Sequence, residues 1–195
     1  MRRDLSSTDA EDLLRAEQDV QARLGGLGID IDLDFGSMAA VANVFRVASA
    51  ARSHLERTVL AGVGLSFTAF TVMWVLWVWG EMESRELAID AGVTKGTLTG
   101  VVGTLEGRGL VRRRRGDVDG RLVLVSATAD GEALMSGLFA RFNEGEGRVV
   151  AALDTSEREQ LAHLLRKVLR SMEPHARPGG RAPLRSGGGE LGEAK

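Results

Sequence analysis

The sequence predicts a mainly α-helical protein with one small β-hairpin, and three observations carry that prediction. Apolar residues recur at helical spacing behind Ser or Thr caps at several places along the 195 residues. A run without charge, "LAGVGLSFTAFTVMWVLWVWG" from Leu60 to Gly80, holds all three tryptophans. An Asp-Gly pair, Asp119-Gly120, precedes the strand-like "RLVLV" and supplies a hairpin turn.

In chain order, Thr8 and Glu11 form a capping box ahead of Leu13, Leu14, Val20 and Leu24, which predicts an N-terminal helix ending at Gly25-Gly26. The following "LGIDIDLDFG" alternates apolar and acidic residues, as a strand or an extended linker would, and is read as solvated linker. Its aspartates lack the glycine and terminal glutamate of a calcium loop. From Ser37 the pattern is helical again, with Met38, Val41, Phe45, Ala48, Leu55 and Val59 on one side.

The uncharged run is long enough by count to suggest a membrane span. Gly62, Gly64 and Ser66 interrupt it, however, and Ser66 reads as a fresh helix cap, leaving Phe67 to Trp79 too short to span. Arg and Lys do not cluster at its ends, and Glu81 and Glu83 follow it. The expectation is a helix buried nearly all round inside a soluble protein.

Two short helices follow, Ser84 to Ala91 and Thr94 to Gly107, separated by Gly92-Val93. Leu110 to Val125 reads as the hairpin. Thr128 caps a helix running to about Leu153, and Ser156 with Glu159 boxes a last one from Ser156 to Met172. Beyond Glu173 the text is rich in Pro and Gly and nearly free of apolar residues, so residues 173–195 are expected to be a disordered tail.

Composition narrows the function. The formal net charge of -2 gives no global attraction to nucleic acid or to an anionic membrane, so any basic surface must be local. Cysteine is absent, which removes disulfides, thiolate metal sites and cysteine nucleophiles. The three histidines, His54, His163 and His175, are far apart, and neither a phosphate loop nor a catalytic serine motif is present, so neither an enzyme nor a cofactor or metal site is expected. The N-terminal text lacks the apolar run of a secretory signal, and a cytoplasmic location is the default.

A buried helix, a short helix, a tight Gly turn, a second helix and a charged hairpin occur in the order of a winged helix-turn-helix. The run "SRELAIDAGVTKGTLTGVVGTLEGRGLVRRRRGDVDGRLVLVSATADG", Ser84 to Gly131, resembles the DNA-binding half of MarR-family transcriptional regulators. The matching elements are Leu87-Ala88, Val93-Thr94-Lys95, Leu105-Glu106 before Gly109-Leu110-Val111, Asp119-Gly120-Arg121, and Thr128 before Gly131.

The resemblance implies a winged domain over 66–127 and a helical dimerisation region over 37–65 and 128–172, and in most members it does not account for the extra N-terminal helix and linker over 1–36. Some urate-responsive relatives are similar in carrying such a helix, but theirs uses a tryptophan that this one lacks. The partners implied are double-stranded DNA, a second copy of the chain and a small aromatic or phenolic effector. The alternative is a membrane-associated or protein-binding helical module that does not bind DNA.

Candidate residues follow from the pattern. Leu98, Val101, Val102 and Leu105 share one face of the second helix and pack it on the core, while Gly96, Gly100, Gly103 and Gly107 fall together on the opposite face. A bare face of that kind lets the helix sit deep in a major groove, or else records drift in a weakly selective helix. In the first reading Thr94 opens the helix, Lys95 meets phosphate, and Thr97, Thr99 and Thr104 offer hydroxyls and methyls to base edges.

Between Gly92 and Arg121 seven basic residues face three acidic ones, a local balance of +4. Alternation along the strand sets Arg113 and Arg115 on one side, as phosphate contacts. The wing tip carries Val118 where many relatives carry arginine, which puts minor-groove reading by the tip in doubt; Arg121 is a further DNA-binding candidate, expected chiefly to pair with Asp119 and hold the turn. The ligand residues suggested are Phe70, Trp74 and Trp77, with His54 or Arg57 as polar partner, against the plainer reading of core packing. The apolar stripe from Met38 to Val59, and Leu153, Leu161, Leu164, Leu165, Val168 and Leu169, offer more apolar surface than one short domain covers, which predicts a homodimer.

Overall fold

The computed structural model describes residues 10–27, 32–116 and 122–172. The chain divides after Val149 into two compact units. The first contains helices α1 (Ala10–Gly25), α2 (Phe35–Leu55), α3 (Phe67–Trp79), α4 (Ser84–Asp90), α5 (Lys95–Gly107) and α6 (Ala129–Val149). Its strands are β1 (Met82–Glu83), β2 (Val111–Arg115) and β3 (Val123–Ala127). The second unit is described up to Met172 and consists of a turn and helix α7 (Thr155–Met172).

Most helix starts follow from local caps. Ser66 holds an extended backbone and its hydroxyl accepts from the Ala69 amide at 3.2 Å, starting α3 where the sequence predicts. Thr94 does the same for α5 through the Thr97 amide, at 3.1 Å. Thr128 accepts from the Gly131 amide at 3.1 Å and starts α6.

Other boundaries are corrected. Helix α2 starts at Phe35 rather than Ser37, because Asp34 caps it, one carboxylate oxygen accepting from the Ser37 amide at 2.9 Å and the other from the Ser37 hydroxyl at 2.5 Å. Those bonds, the hydroxyl's first, hold the Asp34 pKa below its ordinary value. Helix α6 ends at Val149, short of Leu153. Helix α7 is boxed by Asp154 and Glu157, with reciprocal amide-to-carboxylate bonds of 2.8 and 2.9 Å, not by Ser156 and Glu159. Thr8, the segment 28–31, the turn at 117–121 and the predicted tail lie outside the described residues.

After Leu55 the α-helical ladder gives way to a π turn (Glu56–Leu60) and a 3-10 turn (Ala61–Val63). The Glu56 carboxylate reaches forward to accept from the Phe67 amide at 2.8 Å, so the last turn of one helix caps the first of the next.

The three strands form an antiparallel sheet in the order β1-β3-β2. Val111 pairs with Ala127 and Arg115 with Val123, so the return strand starts two residues later than "RLVLV" suggests. Strand β1, pairing Met82 with Val125, is too short to be read from the sequence. The core lies where α3 meets α5, the sheet and α6: Val72, Met73, Leu76, Met82, Leu87, Leu105, Val111, Val125 and Met135 are all fully buried. Helix α3 is not buried all round, since Val78 and Trp79 at its C-terminal end are exposed, Trp79 by 52%. Among the described residues no single helix is long and apolar enough to cross a membrane.

Candidate nucleic-acid interface

Helix α4, a tight turn and helix α5 make a helix-turn-helix on the surface of the core. Gly92 adopts φ of 65°, a left-handed conformation that side-chain-bearing residues avoid, and the Val93 amide returns to the Ala88 carbonyl at 2.9 Å. The chain is thereby turned so that Thr94 can open α5. Leu98, Val102 and Leu105 are buried on the inner face, with Val101 packed beside them.

On the outer face Gly96, Gly100, Gly103 and Gly107 are all exposed. A methyl group built at Gly100, Gly103 or Gly107 meets nothing within 4 Å, so no packing within the chain requires these glycines. Thr97, Thr99 and Thr104 flank this strip and are exposed, as is Lys95 at the first helical position. Their hydroxyls are engaged locally. Thr99 donates to the Lys95 carbonyl at 2.9 Å, Thr104 donates to the Gly100 carbonyl at 3.1 Å, and Thr97 and Thr94 share a hydroxyl bond at 2.9 Å.

The arginines of β2 divide by face, as strand alternation requires, but their roles differ from an even row of free cations. Arg113 turns back to α5, where its Nε donates to Glu106 at 2.9 Å and a second guanidinium nitrogen bonds the same carboxylate oxygen. That pair holds Glu106 below the ordinary carboxylate range, and raises Arg113. Arg114 grips Glu81 in a two-pronged bridge of 2.9 and 2.6 Å, crossing β3 to the approach to β1. Arg112 donates to the Ser126 hydroxyl at 3.0 Å.

Arg115 is exposed and has no ion pair among the described residues, and the same holds for Lys95. Arg108 donates to the carbonyls of Gly64 and Val63, at 2.7 and 2.8 Å, and so satisfies the end of the 3-10 turn. The local excess of positive charge is therefore smaller at the surface than a residue count suggests. Arg121 lies outside the described residues.

The aromatic ligand candidates, Phe70, Trp74 and Trp77, sit in a cluster between α3 and α6. Phe70 is buried and stacks on Phe142 with centroids 3.8 Å apart; Trp74 stacks on Phe139 at 5.0 Å, and Trp77 tilts against the same ring at 5.6 Å. Phe139 and Phe142, missed in the sequence, are three apart on α6, and that spacing is the signal that could have found them. His54 is half-buried, and its Nε2 is buried without a hydrogen-bond partner; Arg57 is exposed on the π turn.

Arg52, also unforeseen, lies over the Phe67 ring at 5.5 Å and donates to the Thr68 hydroxyl at 3.1 Å. A cavity of about 390 Å³ lies away from this cluster, between α1 and α2, lined by Leu14, Val20, Phe35, Met38 and Ala42 with Glu17 and Arg46 at its polar side. Among the described residues no three His, Asp or Glu side chains gather as a metal site would need.

A helix-turn-helix followed by a two-stranded wing, with its second helix exposed along one bare face, defines a winged helix-turn-helix protein. The MarR family model matches residues 65–123, which span α3 to the start of β3. An HTH-type transcriptional regulator of Bacillus subtilis, YwaE, is 33% identical over 158 residues, covering 81% of this chain and 92% of that protein.

The chain belongs to the MarR family of transcriptional regulators and is not an enzyme. The fold is likewise similar to a MarR mutant from E. coli complexed with operator DNA, with TM-score 0.65, 24% identity and coverage of 71% of this chain and 99% of that one. It is also similar to PcaV from Streptomyces coelicolor in complex with its natural ligand, with TM-score 0.62, 22% identity and coverage of 73% and 99%.

Proposed function

We propose that this regulator is a cytoplasmic homodimeric repressor that binds a pseudo-palindromic operator and releases it on binding a small aromatic or phenolic effector. The observation that carries the DNA half is the outer face of α5: four exposed glycines flanked by Thr97, Thr99 and Thr104, with Lys95 at the helix start and Arg115 on the neighbouring strand. A helix without side chains on its leading face can approach the floor of a major groove, while the flanking cations meet phosphate.

The dimer half rests on apolar surface. Met38, Val41, Val44, Phe45 and Val47 on α2 are exposed, Phe45 by 71%, and α7 buries none of its own residues although Leu164, Val168 and Leu169 lie along it. With a two-fold axis, the two α5 helices enter successive major grooves, about 34 Å or 10 base pairs apart. Among the wing residues, Arg115 is assigned to phosphate, and Arg113 to keeping β2 against α5 through Glu106.

Arg115→Ala is expected to weaken operator and random duplex alike and to lower the salt slope by about 1. The test is a salt titration on DNA from upstream of the gene and on a random duplex, with sedimentation at micromolar concentration for the dimer. A monomer, or equal affinity for both duplexes with an unchanged slope in Arg115→Ala, overturns the reading.

The effector half rests on the half-buried faces of Trp74 and Trp77 and the unpartnered Nε2 of His54. Its test is tryptophan fluorescence across aromatic carboxylates and phenols. If both fluorescence and DNA affinity stay unchanged, the cluster is core and nothing more.

A further inference from the structure

We propose that, past its first turn, α5 reads thymine methyl groups and the exocyclic amino groups of adenine and cytosine, and makes no contact to guanine N7 or O6. This rests on α5 being the major-groove helix, and it names the kind of base pair which that helix recognises.

The inference follows from an inventory of what α5 can donate. In the major groove guanine offers two acceptors, N7 and O6, which only a hydrogen-bond donor can read; adenine and cytosine offer an amino donor, and thymine a methyl. Outward-reaching donors on α5 are confined to its start. Lys95 stands at the first helical position, and the Thr94–Thr97 pair shares one hydroxyl proton and leaves one over.

Beyond that turn the hydroxyl protons of Thr99 and Thr104 are already given to carbonyls of the same helix, at 2.9 and 3.1 Å. A hydroxyl used in this way turns its remaining lone pairs and its methyl outward, so it accepts from an amino group or packs on a methyl. The glycines between them contribute no polar atom, and removing Cβ brings the helix close enough for these short side chains to reach. Leu98, Val102 and Leu105 face inward, and Glu106 is occupied by Arg113. Arg, Asn and Gln, the usual readers of guanine and adenine by two bonds at once, are absent from α5.

The experiment uses the full chain and duplexes selected from a pool with a randomised core. The selected duplex is remade with single thymines replaced by 2′-deoxyuridine, which deletes only the methyl, and single guanines replaced by 7-deazaguanine, which deletes only the N7 acceptor. Affinity is read by fluorescence anisotropy at one salt concentration.

The expected result is a loss of about fourfold per critical methyl, the transfer value for one buried carbon. Loss with 7-deazaguanine is expected only at bases whose effect is abolished by Lys95→Ala or by the paired change Thr94→Val, Thr97→Val, which together remove the first-turn donors. In Thr104→Ser, which keeps the hydroxyl and drops the methyl, the uracil penalty at one thymine disappears while the others persist. Loss with 7-deazaguanine that survives both Lys95→Ala and the paired Thr94→Val, Thr97→Val change, or a set of thymines none of which responds to uracil, overturns the inference while leaving DNA binding intact. Failure to bind any duplex overturns the underlying reading of α5 instead.

Discussion

Helices α5 and α6 each carry four glycines; in α6 Gly137 and Gly147 face open space, but Gly131 and Gly145 sit in surroundings opposite to those of the α5 strip. In α6 a side chain at Gly131 would meet the Leu110 carbonyl oxygen at 2.1 Å, and one at Gly145 would meet Leu55 and Val59 at 2.8 and 3.0 Å. In α5, Gly100, Gly103 and Gly107 face open space. Each interior glycine costs a helix about 0.5 to 1 kcal/mol relative to alanine. In α6 close packing offsets that cost at Gly131 and Gly145. In α5 no such contact is made among the described residues, and the close approach of DNA proposed above would offset the cost.

Substitution of these glycines tests the contrast. Gly131→Ala should have the largest effect, a loss of about 3 kcal/mol, because the obstacle is backbone and cannot swing aside; chemical denaturation measures it, and an unchanged midpoint would break the comparison. Gly145→Ala should cost less, about 1 kcal/mol, since the ends of Leu55 and Val59 can shift and alanine recovers helix propensity. Gly103→Ala should reverse the sign, stabilising the fold by about 0.5 to 1 kcal/mol while weakening specific DNA binding more than non-specific binding. A stabilised variant with unaltered operator affinity would mean that drift, not approach, explains the strip.

The smallest effect concerns the other side of α5, where Glu106 holds Arg113. A carboxyl whose folded pKa lies below its unfolded value, about 4.3 for glutamate, adds stability that is present above that value and lost as pH falls through the folded pKa. Melting temperature should therefore fall on acidification below about pH 4. Glu106→Gln should shrink that fall without abolishing it, since Asp34 is depressed in the same direction. An identical acid limb in Glu106→Gln would show that the pair does not steady the wing.

Local features were legible and distant ones were not. Ser66, Thr94 and Thr128 could be placed as caps because each bonds an amide three residues on. The cap at Asp154 was missed because the residues from Asp154 to Glu159 satisfy the same box pattern in two frames, and the turn closing Leu153 on Val150 selects the earlier one. The four consecutive arginines could be seen as a strand, but Glu81, which binds Arg114, lies 33 residues away in sequence. Burial of the tryptophans was likewise half-read: their uncharged context pointed to a core, while the ring that covers Trp74 and Trp77, Phe139, belongs to a helix on the far side of the wing in sequence.

Thr128 has a consequence for how motion spreads through the winged domain. Besides capping α6, it joins that helix to the base of β2: its hydroxyl donates to the Gly109 carbonyl at 2.6 Å and its amide to the Leu110 carbonyl at 3.0 Å. Gly131 then presses its backbone against Leu110 from the next turn. The joint behaves as a clamped lever, whose long arm is α6 with Phe139 and Phe142 along it and whose short arm is the root of the arginine strand. A tilt of α6 at its aromatic end would strain both bonds, which tie the start of that helix to the root of the arginine strand.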